Sequence, residues 1–253
     1  MTGSVMVAGL GPGAQELITP AVSAALARAT DIVGYAPYVA RIAERDGLQR
    51  HASDNREELD RAGFALRLAA EGRHVVIVSS GDPGVFAMAA ALFEAIEAGD
   101  PAWRELDIRI LPGISAMFAA AARIGAPLGH DFCAINLSDN LKPWETVEKR
   151  LRAAAEADFV IALYNPISKA RPWQLGRAFE LLRSIHPASV PVIFATAVSD
   201  PRERIDVVPL GDAVPQRADM RTLVMIGSSQ TKIIPRSSGA AFVYTPRFSG
   251  AVS

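Results

Sequence analysis

Cysteine is nearly absent. One residue, Cys133, stands alone among 253, so no disulfide can close within the chain. Its apolar setting, Phe132-Cys133-Ala134-Ile135, reads as a structural thiol in a reducing compartment. Histidine is scarce too, and the four, at 51, 74, 130 and 186, are too scattered to form a metal-ligand set. Neither sign of charge dominates: 26 Lys and Arg face 27 Asp and Glu, a net charge of -1, without the basic excess that nucleic-acid binders carry. No apolar run approaches the roughly 20 residues that span a bilayer. The first residues show no charged segment followed by the apolar core of a secretory leader. The expectation is a soluble, cytoplasmic protein with no nucleic-acid or membrane partner. No repeat with a period of roughly 20–50 residues and no low-complexity segment is present.

What the chain does have is apolar material, at 50% of its residues, enough for two compact domains or one large α/β unit. Short β-branched or apolar runs predict strands over 5–10, 75–79, 107–111, 133–137, 159–164, 192–198 and 222–226. Longer Ala- and Arg-rich segments predict helices over 15–30, 56–71, 85–98, 144–157 and 172–186. Continuous apolar strands suit a sheet covered on both faces, and the alternation points to α/β. The glycines and proline of "IGAPLGHD", 124–131, interrupt a helical run at 117–123 and read as a hinge. The domains are then 1–120, with the GLGPG and GDPG loops, and 121–253.

The stretch "VAGLGPGAQELIT" satisfies the G-x-G-x-x-G/A fingerprint of dinucleotide folds when read literally. A phosphate-binding P-loop fails, because Gly13 is followed by Ala-Gln-Glu instead of Lys and Ser or Thr. The dinucleotide reading lacks an acid at the end of the second strand, since Asp31 precedes the apolar pair Ile32-Val33. Pro12 also removes a backbone donor from the loop. A second loop, "SSGDPGVF", follows another strand, and Asp82 there reads either as a helix cap or as a ligand-facing group in the crevice beyond the strand ends. "LPGISA", "ALYNP", Ala195-Thr196-Ala197 and Gly227-Ser228-Ser229 follow further strands in the same way.

"VAGLGPGAQELIT", "SSGDPGVF", "LPGISA", "APLGHDFCAINLSD", the run "PWETVEKRLRAAAEADFVIALYNPISKARPWQL" and "MRTLVMIGSSQTKII" occur in this order over most of the chain. Together they resemble the tetrapyrrole methylases of cobalamin biosynthesis. The run from LGHDF through NLSD, PWE and ALYNP resembles the branch acting at C17 of a precorrin-3B-type macrocycle with ring contraction to precorrin-4. The resemblance implies a two-domain α/β tetrapyrrole methylase fold, a homodimer, and S-adenosylmethionine bound in the interdomain cleft and released as S-adenosylhomocysteine. The cofactor positions it implies are Pro12, Gly81, Asp82, Pro83, Val85, Phe86, Ser115, Ala116, Tyr164, Asn165, Ala195 and Thr196. Bulk at Gly81 or Ala116 is expected to abolish cofactor binding and leave stability nearly unchanged.

A flat, apolar macrocycle rimmed by carboxylates calls for cations beside an apolar trough. Lys169 and Arg171, directly after ALYNP, are the substrate-binding candidates, ahead of Arg202, Arg204, Lys232 and Arg236. Ring contraction makes a proton transfer plausible, with His130, Asp139 and Asp82 as candidates, and Asp139 could equally cap the helix near Trp144. Methyl transfer itself needs no metal. The competing readings are a sibling methylase acting at another macrocycle position, a nicotinamide-dependent oxidoreductase, and a non-catalytic tetrapyrrole carrier.

Overall fold

Buried parallel strands organise the first part of the chain. The computed structural model describes residues 3–54, 57–168, 170–237 and 240–248, and it divides into two units, Met1–Ser115 and Ala116–Ser253.

The first unit runs β1 (Ser4–Gly9), α1 (Pro20–Arg28), β2 (Asp31–Tyr35), α2 (Ala36–Val39), β3 (Gln49–Ser53), α3 (Glu58–Ala70), β4 (His74–Ser79), α4 (Met88–Ala98), β5 (Asp107–Leu111). Its sheet has the order β3-β2-β4-β1-β5, and every pairing is parallel, so all five strands end along one edge. The side-chain period of two splits each central strand between faces. Val75 and Ile77 join Leu66 and Leu92 on one face, and Val76 and Val78 join Leu10, Val22 and Ile32 on the other. Covering both faces is why these strands read as unbroken apolar runs.

Local chemistry moves two helix starts. The run over 15–30 breaks into a 3-10 turn at Gln15–Leu17 and a helix beginning at Pro20, where a proline's missing N–H is harmless. The Thr19 hydroxyl accepts from the Val22 amide at 3.3 Å and caps that start. α4 begins at Met88 rather than 85, because Phe86 takes a left-handed conformation with φ 53°. β2 and β3 had no strand expectation. β3, "QRHAS", is a polar edge strand and carries no apolar signal.

Asp31 opens β2 at the opposite edge from the strand ends and is 1% exposed. Its carboxylate accepts from Arg73 Nε and Thr30 Oγ1, both at 2.7 Å, and lies 2.9 Å from His51 Nε2. Burial works to raise its pKa, but the bonds from Arg73, His51 and Thr30 outweigh it and hold the carboxyl below its ordinary value.

The second unit runs α5 (Ala116–Ile124), β6 (Gly125–Ala126), β7 (Phe132–Asn136), α6 (Trp144–Glu156), β8 (Val160–Tyr164), α7 (Gln174–Arg183), β9 (Pro191–Thr196), β10 (Arg204–Pro209), β11 (Thr222–Ile226), β12 (Lys232–Ile234), β13 (Phe242–Tyr244). Its five-stranded sheet, β10-β9-β11-β8-β7, is mixed: β7 and β8 are parallel and the other pairings antiparallel. That pattern brings the ends of β7, β8 and β9 to one edge. Phe179 of α7 meets Phe194 of β9 edge to face at 6.0 Å in the core. Cys133 is half-buried on the edge strand β7, where burial pushes its thiol up to about 11. This fits a structural thiol.

The stretch 124–131, read as a hinge, lies inside this second unit. It serves there as the docking strip for the C-terminal hairpin. Gly125 and Ala126 pair with Val243 and Tyr244, and the Thr245 hydroxyl donates to the Pro127 carbonyl at 2.6 Å. A Cβ on Gly129 would sit 2.5 Å from the Thr245 carbonyl oxygen.

His186 is buried, and desolvation outweighs the nearby Asp158 to push its pKa below the ordinary imidazole value. The unfolded chain therefore binds a proton at a pH where the folded chain does not, so stability falls as pH drops through about 6.5. Asp31 adds a second loss further down, because its depressed folded pKa supplies stability above the ordinary carboxyl range that disappears on acidification. Urea unfolding should show wild type losing stability between about pH 7.5 and 5.5, with a flatter profile in His186→Leu. Parallel profiles would remove His186 as the source.

Candidate active site

Three loops leave the adjacent strands β4, β1 and β5 at the same edge of the first unit, and their backbones touch. Gly81 N–H donates to the Gly11 carbonyl at 2.9 Å and Gly11 N–H to the Gly81 carbonyl at 3.2 Å. A Cβ on Gly9 would lie 2.6 Å from the Gly81 oxygen, and one on Gly113 only 2.2 Å from it. Glycine stands at these positions because nothing larger fits. Asp82 links the loops: Oδ1 accepts from Gly84 N–H at 2.8 Å and Oδ2 from Gly113 N–H at 3.1 Å. It does not cap α4, whose first flanking residue is Ala87. With both oxygens held by amides, it is a strut between the loops.

The glycine loop offers little to a pyrophosphate. A dinucleotide loop runs straight into a helix N-terminus, whereas α1 here begins only at Pro20. The Arg41 guanidinium donates through Nη2 to the carbonyls of Leu10 (2.8 Å) and Gly13 (2.9 Å), fixing the loop from behind. Burial pushes the Arg41 pKa down. Asp31, which could otherwise have held a ribose, is saturated by Arg73, Thr30 and His51 at the far edge. Around the loop, Pro12 and Val85 are half-buried, Pro83 and Ser115 are buried, and Phe86 is exposed. Ser115 is also bonded.

In the second unit, Tyr164 ends β8, its carbonyl accepts from Leu137 N–H at 2.9 Å, and its hydroxyl accepts from Met117 N–H at 3.3 Å in α5. Ala116 opens that helix. Asn165 is exposed and left-handed, φ 50°, and its Nδ2 donates to Asn136 Oδ1 at 3.0 Å, joining the ends of β7 and β8. Ala195 and Thr196 are both buried at the end of β9, and the Thr196 hydroxyl pairs with that of Thr222 at 2.8 Å. These two can present backbone alone. Ala197 follows with φ 50°. Asn165 and Ala197 each carry a costly backbone conformation directly after a strand end, and Phe86 carries one two residues before α4.

The polar candidates separate. His130 Nδ1 accepts from Asp131 N–H at 2.7 Å, so the neutral ring carries its proton on Nε2. Asp139 does not cap α6, where Pro143 flanks the first turn; it pairs with Arg171 Nη1 at 3.0 Å. The same Nη1 donates to Asn140 Oδ1. Arg202 is held bidentately by Asp200, Arg204 pairs with Asp206 at 3.2 Å, and Arg236 lies over the Phe242 ring at 4.6 Å. Lys232 is exposed on β12, and Lys169 lies outside the described residues. Sequence reasoning missed Trp144 and Gln174, the first residues of α6 and α7, since an apolar or amide residue at a helix start reads as packing.

The sequence profile of Tetrapyrrole (Corrin/Porphyrin) Methylases matches residues 4–214 of the chain. The chain belongs to this family. It is 61% identical over 253 residues, 100% of each chain, to the Precorrin-3B C(17)-methyltransferase of Sinorhizobium sp. Among solved structures, the crystal structure of the methyltransferase CobJ matches with a TM-score of 0.91 at 63% identity, over 96% of this chain and 100% of that one. The uroporphyrin-III C-methyl transferase from Thermus thermophilus, solved with S-adenyl homocysteine, matches at a TM-score of 0.66 over 89% and 92% of the two chains. Its 20% identity speaks for the fold alone.

For a tetrapyrrole methylase, the glycine motifs record loop packing, and this corrects one expectation. Gly81 is buried, left-handed at φ 62° and bonded to Gly11, so Gly81→Leu should cost stability as well as ligand binding. Gly113→Ala and Asp82→Ala should each cost about 1–3 kcal/mol. Scanning calorimetry should show Tm lowered by roughly 2–4 °C per kcal/mol. Unchanged melting in both variants would mean that the three loops are not mutually braced.

Proposed function

We propose that the chain transfers the methyl group of S-adenosylmethionine to C17 of a precorrin-3B-type tetrapyrrole, with ring contraction to precorrin-4, in cobalamin biosynthesis. The observation that carries this reading is the 61% identity, over 100% of both chains, to a relative bearing that activity in its name. When bound, S-adenosylmethionine supplies an electrophilic methyl on a sulfonium leaving group. The protein's task is to hold the attacking carbon in line at about 3–3.5 Å and exclude water.

The braced strand-end loops suit that task. Gly81 and its neighbours offer backbone groups with no side chain between them and a ligand, and the Asp82 strut keeps the loop from relaxing. The exposed Phe86 ring supplies apolar surface beside them. Tyr164 and Asn165 fix the ALYNP turn, and Ala195 and Thr196 contribute backbone alone. His130, whose Nε2 carries the proton in the neutral ring, is the remaining candidate for a proton transfer during contraction. We infer that the enzyme acts as a homodimer in the cytoplasm, as the resemblance to its family implies; among the described residues no helix is long and apolar enough to cross a membrane.

The decisive measurement incubates the enzyme with a precorrin-3B-type substrate and cofactor labelled with ¹³C in the methyl, then locates the label by NMR. Label at C17 is the expected result. Label at another position would move the chain to a sibling activity. Absence of S-adenosylhomocysteine binding by calorimetry would sink the methyltransferase reading altogether.

A further inference from the structure

Six buried side-chain polar atoms among the described residues lack a hydrogen-bond partner, and four of them lie on two segments of the second unit, the start of α6 and the stretch from Ser168 to the start of α7: Trp144 Nε1, Ser168 Oγ, Arg171 Nε and Gln174 Nε2. The segments that carry them touch. The rings of Trp144 and Trp173 meet edge to face at 4.9 Å, and Ser168 and Arg171 exchange backbone bonds of 3.2 and 3.0 Å. Gln174 is 1% exposed, so its amide N–H forfeits water without gaining a partner. Leaving such a donor buried and empty is expensive.

Trp144 is the first residue of α6 and Gln174 the first of α7, and neither helix has a side-chain cap. The contact of Trp144 with Trp173 therefore brings two uncapped helix N-termini together. Each presents unsatisfied amides and a partial positive charge. The charged groups facing the corner add to this. Asp139 is already occupied by Arg171 Nη1, and Lys142 lies within electrostatic reach of both Asp139 and Arg150. Lys142 Nζ donates to the Ser138 carbonyl at 3.0 Å. Glu145, in the first turn of α6, is exposed.

A water molecule answers this set poorly. Three of the four orphans are pure donors, and a water accepting from them would need acceptors for its own hydrogens, which Ser168 Oγ alone among the four could supply. A carboxylate has about four acceptor sites and no hydrogen to place. We propose that this corner is a carboxylate site. Resting on the reading above, its occupant is one peripheral carboxylate side chain of the tetrapyrrole. Arg171 recognises it through the free Nε edge while Nη1 stays with Asp139.

The three tryptophans give a direct readout, because Trp103 lies in the first unit and serves as an internal control. Sodium acetate titrated at constant ionic strength should move the Trp144 indole N–H resonance, assigned with Trp144→Phe, in a saturable way that chloride does not reproduce. Gln174→Glu places a carboxylate among the donors and should abolish that response. It should also raise the tetrapyrrole KM by about tenfold, the loss of one well-formed contact, with little change in kcat. S-adenosylhomocysteine affinity should stay at the wild-type value and certify the fold. A Trp144 indole indifferent to acetate overturns the proposal without any variant. So does an acetate response that survives in Gln174→Glu. An acetate response with an unchanged KM would leave an anion site that is not the substrate's and defeat the assignment of its occupant. Wild type that binds acetate at Trp144 but transfers no methyl would instead refute the parent reading.

Discussion

The backbones at the ends of β1, β4 and β5 come so close that a single added methyl at Gly9 or Gly113 would collide with the Gly81 carbonyl. Everything else at that edge depends on this contact. It forces glycine at these positions and leaves Gly81 left-handed. It also leaves Asp82 the work of holding the loops in register through two amide bonds. A loop fastened in this way presents backbone polar groups in fixed directions, which is what transfer of a small group between two held molecules requires. The same packing explains why a fingerprint of dinucleotide binding arises without a phosphate cradle, since the glycines satisfy each other.

The second unit reaches a comparable edge by different means. Parallel pairing of β7 with β8 and antiparallel pairing through β11 bring three strand ends together. There Asn136, Tyr164 and Asn165 tie the turns by side-chain bonds in place of glycine contacts. The left-handed conformations of Asn165 and Ala197 show where the chain is bent against its preference at that edge. Charge is placed with economy. Most of the arginines that sequence alone offered to a carboxylate-rimmed substrate are held by nearby groups, Arg202 by Asp200, Arg204 by Asp206 and Arg236 by Phe242. Arg171 differs because part of its guanidinium remains buried and unmatched.

Most strands with covered faces and the six motif segments were legible because each writes its physics locally; β2, buried but short and carrying Gly34, was not. Burial on both sides demands unbroken apolar residues, and close loop packing demands glycine at fixed offsets. Edge elements were not legible. β3 and β10 show little apolar pattern, and β6, β12 and β13 are too short to have one. The stretch 124–131 looked like a hinge because glycine and proline mark both a flexible link and a strip on which another strand must dock.

The order of residues by itself determined the α/β class, the identity of the loops that line the strand ends, and the family to which the chain belongs, because these follow from periodicity and short-range spacing. Tertiary structure alone decided what each polar residue does. Asp82 became a strut when Gly113, 31 positions away, brought an amide to it. Asp139, which sequence alone offered as a cap for α6, is instead paired with Arg171 from the loop after β8. The empty donors of Trp144 and Gln174 exist only because two helices, separated in sequence by a strand, begin side by side. A polar group's role is set by the partner that burial leaves it, and the partner comes from elsewhere in the chain.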